Sequence, residues 1–157
     1  MTGGLPDLPA LDPAREARIR ASVGAQSMQA THGASIAEMG PGRVVLEMPS
    51  DPRFGQQHGF THAGAVTTLV DTACGYAAFS LMAADREVLT VDFSANFLAP
   101  AVGQAFRATG TVLRAGRTLV ITRGEVHALA DGREPRLIAA MQATMMAVIP
   151  PSGEPGA

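Results

Sequence analysis

The chain has no tryptophan, a single tyrosine and a single cysteine, and each scarcity removes a class of function. Binding single-stranded nucleic acid relies on aromatic platforms for the bases, and few are available here. One cysteine, Cys74, can form neither an intrachain disulfide nor a multi-thiolate zinc site. Charge is sparse as well. Only 17% of residues are charged, the net formal charge is −2 and the basic residues are scattered, so neither nucleic acid nor an anionic membrane finds an electrostatic footprint. No apolar run reaches the roughly 20 residues that cross a bilayer. The best candidate, Leu137 to Ile149, is interrupted by Gln142 and Thr144. The opening stretch MTGGLPDLPALDP lacks the cationic start and apolar run of a secretory signal. A single cytoplasmic domain with no metal or redox cofactor is expected.

What is present is apolar. At 157 residues and 46% hydrophobic, the chain can bury a substantial core, built from Ala, Val, Leu, Met and a few Phe. Residues 1–28 read as a tail and a short peripheral helix that starts at Asp12-Pro13 and runs to about Gln26. Residues 29–149 form the folded domain, and 150–157 form a disordered tail. Within the domain, segments 34–38 and 43–48 flank a Gly40-Pro41-Gly42 turn and predict a hairpin. A polar loop from Pro49 to Thr61 carries Arg53, Gln56, Gln57 and His58. From Ala63 to about Ala83 the apolar residues recur at helical spacing. Beyond it, residues 89–97, 106–114, 118–128 and 137–149 alternate with period two and are separated by short Gly-containing turns. The pattern predicts an α+β domain, an antiparallel sheet with one long helix against one face.

That helix carries one charge, Asp71, between Gly64 and Ala84. At 100° per residue, Val66, Leu69, Val70, Ala73 and Ala77 share one side, and Asp71 lies about 140° from Val66. It shares its side with Gly64, Thr68, Gly75 and Ala78. A lone helical aspartate ordinarily faces water, but a solvated face carries Lys, Glu, Arg or Gln rather than small residues. A glycine inside a helix costs about 1 kcal/mol relative to alanine, so Gly75 predicts a close approach to the backbone. The helix is expected to be covered on both sides, the second cover being a partner subunit. A half-buried carboxylate with no basic neighbour in sequence is a catalytic candidate.

Other side chains compete less well. His58 and His62 stand four apart but precede the helix across Gly59, with no third ligand nearby. Cys74 sits within an apolar helix and reads as packing, as do Met141, Met145 and Met146. His127 reads as an edge residue. Asp92 is the rival acid, placed by strand alternation on the same face as Thr90.

The ordered set Gln56-Gln57-His58-Gly59-Phe60-Thr61-His62-Ala63-Gly64, then Leu69-Val70-Asp71-Thr72-Ala73, resembles the hotdog-fold acyl-CoA thioesterases of the phenylacetate-degradation and 4-hydroxybenzoyl-CoA thioesterase type. Their pattern has Asn or Gln six residues before a His and an acidic residue nine after it. Gln56, His62 and Asp71 meet both spacings, and the likeness continues at Thr90-Val91-Asp92-Phe93, Pro100 and Arg114–Thr118. The resemblance implies a sheet wrapped around a long central helix, subunits paired into a continuous sheet, and active sites at the boundary of a dimer or a dimer of dimers. It implies hydrolysis of acyl-coenzyme A, with Asp71 as nucleophile or general base and the backbone N–H of Ala63 as oxyanion donor beside Gly64. Gln56 would orient the substrate or the partner's carboxylate, His62 would donate to the thioester, and Thr90 would hold the attacking water. The family usually has Gly where Ala63 stands, which bears on the acyl path. Arg53, Arg114 and Arg117 are candidates to meet the coenzyme A phosphates. Two alternatives are a hotdog-fold enoyl-CoA hydratase, whose Asp and His five residues apart are missing here, and a non-catalytic module that binds acyl-CoA or another small ligand, which would need no Asp71.

Overall fold

Asp12 opens the first helix by accepting the Arg15 N–H at 2.9 Å, with Pro13 in the first turn where its missing N–H costs nothing. A computed structural model describes residues 10–150; the tails expected at 1–9 and 151–157 lie outside the described residues. Helix α1 spans Pro13–Ala25 and α2 spans Ser27–His32. Strands β1 (Ser35–Gly40) and β2 (Arg43–Pro49) form the expected hairpin, and a 3₁₀ turn at Pro52–Phe54 leads to α3 (Ala63–Phe79). Strands β3 (Glu87–Phe97), β4 (Ala105–Ala115), β5 (Leu119–Leu129) and β6 (Arg136–Val148) follow. All six strands join one antiparallel sheet in the order β1-β2-β4-β5-β6-β3.

The sheet lays its apolar face on α3. Leu46, Met48, Phe106 and Met145 from the strands are buried against Leu69, Val70 and Ala73 of the helix. Contact this close is set by two glycines that pair with each other across β4 and β5, Gly110 and Gly124. A β-carbon on Gly110 would lie 2.3 Å from the Ala73 carbonyl, and one on Gly124 would lie 2.3 Å from Val70 Cγ2 and 2.8 Å from Cys74 Sγ. The described residues of the chain make no close approach at Gly75, because a β-carbon at that position meets nothing within 4 Å. The glycines that admit the helix are in the strands beneath it.

Helix α1 is not peripheral. Ile19 and Val23 are buried in the same core, Ser22 and Gln26 both meet the Tyr76 hydroxyl at 2.9 Å, and Arg18 lies over the Phe79 ring. The boundary expected after residue 28 falls inside α2. Helix α3 stops at Phe79, a turn short of the expected Ala83. The buried Ser80 hydroxyl donates to the Ala77 carbonyl at 2.6 Å and accepts the Gly42 N–H at 2.7 Å. Leu81 and Met82 then bond back to Ala78 and Phe79 with tighter, three-residue spacing.

The two sheet edges differ. Strand β1 is short, irregular and carries Glu38, the usual ways of blunting an edge. Strand β3 is long and bonded on one side only, to β6, and it leaves Val91, Phe93 and Phe97 about half exposed. Among the described residues no helix is long and apolar enough to cross a membrane.

Candidate active site

Two groups of polar side chains lie along α3, and one chain does not bring them together. The first surrounds the helix start. His62 is the N-cap, its Nδ1 accepting the Gly64 N–H at 2.9 Å, which leaves Nε2 to carry the proton of the neutral ring. The N–H groups of Ala65 and Val66 bond to the His62 carbonyl, but among the described residues no group takes the N–H of exposed Ala63. A free N–H at a helix N-terminus suits developing negative charge. The preceding loop is fixed by bonds from Thr61 N–H to the Ala101 carbonyl, His62 N–H to the Phe54 carbonyl and Gln56 N–H to the Phe60 carbonyl. Gln56 accepts the His58 N–H through Oε1, so its amide N–H₂ remains as a donor. Gln56, His62 and Ala63 line one cleft of about 360 Å³, walled by Val66, Phe97 and Ile138. The sequence reading missed those apolar walls, because residues this far apart meet only once strand and helix are packed.

The second group is Asp71 with Thr90, whose hydroxyl donates to the carboxylate at 2.9 Å and also contacts Met145 Sδ at 3.3 Å. Burial pushes the Asp71 pKa above the ordinary carboxylate value, and the Thr90 hydrogen bond opposes that in part. Asp71 is two helical turns beyond Ala63, about 12 Å along the axis, and does not line the cleft. The small-residue strip is half covered by the chain itself. Gly75 and Ala78 are buried, whereas Gly64, Thr68 and Asp71 keep some exposure.

Asp92 does not share a face with Thr90. The β3–β6 register shifts at Val91, so Thr90 pairs with buried Met145 on the helix side and Asp92 pairs with Thr144 on the outer side. A β-bulge re-aims every residue beyond it, which simple alternation cannot anticipate. The Cys74 thiol is buried and pushed up to about 12, too high for a nucleophile. Among the described residues no three His, Cys, Asp or Glu side chains gather to hold a metal ion.

The candidate cations are dispersed. Arg53 is largely exposed and clamped by the Asp51 carboxylate at 2.6 and 2.9 Å. Arg114 and Arg117 stand at the β4–β5 turn, at the Thr90 end of the sheet and three strand spacings, about 14 Å, from β3.

A family model, the thioesterase superfamily, matches residues 58–134, the stretch that holds the helix start, Asp71 and Thr90. A thioesterase family protein from Silicibacter pomeroyi is 49% identical in sequence, with a TM-score of 0.84 over 87% of this chain and 99% of that one. This chain belongs to the thioesterase superfamily. That membership places it among the thioester hydrolases, and its six-stranded sheet around α3 is the hotdog fold. Acyl-coenzyme A thioesterase 13 of Homo sapiens is 28% identical over 63% of this chain and 71% of its own length. The PaaI protein of the E. coli phenylacetic acid degradation operon shares the fold at a TM-score of 0.78 and 19% identity, covering 88% of this chain and 96% of that one. In this chain Gln56 and His62 stand just before α3, and Asp71 belongs to a separate group further along the helix.

Proposed function

We propose that this thioesterase hydrolyses acyl-coenzyme A in a site shared between two copies of the chain, Asp71 and Thr90 coming from one and Gln56, His62 and Ala63 from the other. The observation that carries the reading is the separation along α3. A carboxylate about 12 Å from the free N–H of its own Ala63 cannot act on a carbonyl held at that N–H. The unpartnered edge of β3 supplies the remedy. Two copies paired antiparallel along β3 about a two-fold axis near Phe93 and Ser94 set Thr90 of one opposite Phe97 of the other, and Phe97 walls the cleft. The pairing also covers the half-exposed apolar side chains of that edge. Leu89 and Leu119, which flank Met146 on the outer sheet face and are about half exposed, offer a surface for a pair of dimers.

In this arrangement the thioester carbonyl accepts the Ala63 N–H, which meets the charge that grows on its oxygen. His62 and the Gln56 amide donate from the same side. Asp71 of the partner subunit, held by its Thr90, removes a proton from water as that water adds to the carbonyl carbon, or attacks the carbon itself to give an anhydride that water then hydrolyses; both routes need the ionised carboxylate. The carbon–sulfur bond breaks with little assistance, because the thiolate is a good leaving group. A carboxylate raised by burial is a stronger base than an exposed one, as its role requires.

The test mixes two inactive variants. Asp71→Asn and Gln56→Ala are each assayed for thiol release from a panel of acyl-CoAs, then co-refolded in equal amounts. A shared site leaves one intact centre in each mixed dimer and recovers about a quarter of wild-type activity. No recovery would return the site to a single chain. If wild type released thiol from no acyl-CoA, the activity itself would be wrong.

A further inference from the structure

The cleft at the start of α3 continues past Phe60 and Pro100. The same two residues form one wall of an adjoining hollow of about 370 Å³, floored by Val102 and rimmed on its far side by Arg133, Glu134 and Arg136. That rim is held in place. The Arg133 N–H donates to the Ala130 carbonyl at 3.2 Å, the Asp131 N–H donates to Gln104 Oε1 at 2.9 Å, and the Arg136 guanidinium donates to the Pro100 carbonyl at 2.7 Å. The last bond fixes a cation on the ridge between the two hollows. Among the described residues Arg133 and Glu134 form no ion pair, so both charges are free to meet a ligand.

We infer that this hollow receives the nucleotide end of the coenzyme A substrate, an assignment that rests on the acyl-CoA reading above. A phosphorylated adenosine presents three chemistries, and the hollow answers each. Its phosphates meet Arg133 and Arg136, whose planar donors suit phosphate oxygens. Its one free ribose hydroxyl, at 2′, and its adenine amine donate to the Glu134 carboxylate, and its purine face lies on Phe60 and Val102. A bare inorganic anion would have no use for the carboxylate or the apolar wall. Continuity with the Gln56–His62 cleft lets the pantetheine arm pass from one hollow to the other over Pro100. Arg53, Arg114 and Arg117 border neither hollow.

The test compares an acyl-CoA with the N-acetylcysteamine thioester of the same acid, which lacks the nucleotide. In Arg133→Ala the ratio of kcat/KM for acyl-CoA to that for the truncated thioester is expected to fall about tenfold, the loss of one charge-assisted contact. An unchanged ratio overturns the assignment. So does a fall of that size in Arg114→Ala/Arg117→Ala, which would move the nucleotide to the β4–β5 turn. Calorimetric titration with adenosine 3′,5′-bisphosphate separates this inference from the activity. Binding to wild type that weakens in Arg133→Glu supports the site, and failure to bind wild type overturns it. A protein that binds the bisphosphate but hydrolyses no thioester would keep the site and lose the proposed activity.

Discussion

The Thr90 hydroxyl, at the start of an edge strand, donates to the Asp71 carboxylate in the middle of α3 at 2.9 Å. The bond joins the one charge of the helix to β3, the longer of the two edge strands. It also tunes that charge, favouring the ionised form against a burial that disfavours it.

Replacing Thr90 with Val removes the donor and keeps the shape. Because the lost bond lowers the Asp71 pKa, the variant's pKa should stand higher still. The acid limb of the kcat/KM profile, where the base must ionise, is expected to move to higher pH. A pH–rate profile on the best acyl-CoA checks this, and a limb that stayed put or moved to lower pH would leave Thr90 without a tuning role.

Asp71→Asn should lower kcat by about 10²–10⁴, the usual worth of a positioned base, while stability moves the other way. The folded-state pKa of Asp71 is raised, so the native state binds its proton more tightly than the unfolded chain does. Wild-type stability therefore falls as pH rises from the ordinary aspartate value through the raised one. Asn escapes that loss. Thermal melts should show the variant equal to wild type in acid and more stable than wild type near neutrality. A variant less stable at every pH would mean that the carboxylate serves the fold instead.

Two glycine-to-alanine substitutions should have opposite signs. At Gly110 the new methyl would sit 2.3 Å from the Ala73 backbone carbonyl, and neither the β4 backbone nor the helix can yield cheaply. A loss of about 3 kcal/mol or failure to fold is expected. At Gly75, where a β-carbon meets nothing within 4 Å, alanine should add about 0.5–1 kcal/mol by favouring the helix. Urea unfolding of the two variants reads both.

The order of elements was legible because each carries a local signature: the period-two alternation of 106–114 and 118–128, the Asp12-Pro13 helix start, the turn at Gly40–Gly42. Asp71 was legible for a different reason, as the only charge in a helix otherwise free of it. What misled was context. Alternation placed Asp92 beside Thr90, but the bulge at Val91 is set by pairing with β6 and leaves no mark in the strand's own residues. Gly75 drew attention as a helical glycine, while the signal that mattered was two glycines inside strands, Gly110 and Gly124. Helix α1 looked peripheral because Ile19 and Val23 are few and its remaining face is polar.

By itself, then, the sequence determined the α+β order, the long apolar helix and the residue types that could do thioester chemistry, since propensity, periodicity and spacing are properties of neighbouring residues. Tertiary structure decided where those residues stand. It placed Asp71 and Thr90 in contact across 19 residues of chain, held them apart from the Gln56–His62 cleft, and left β3 unpaired at the sheet edge. Such distances arise from strand register and helix packing, which depend on segments far apart in the chain.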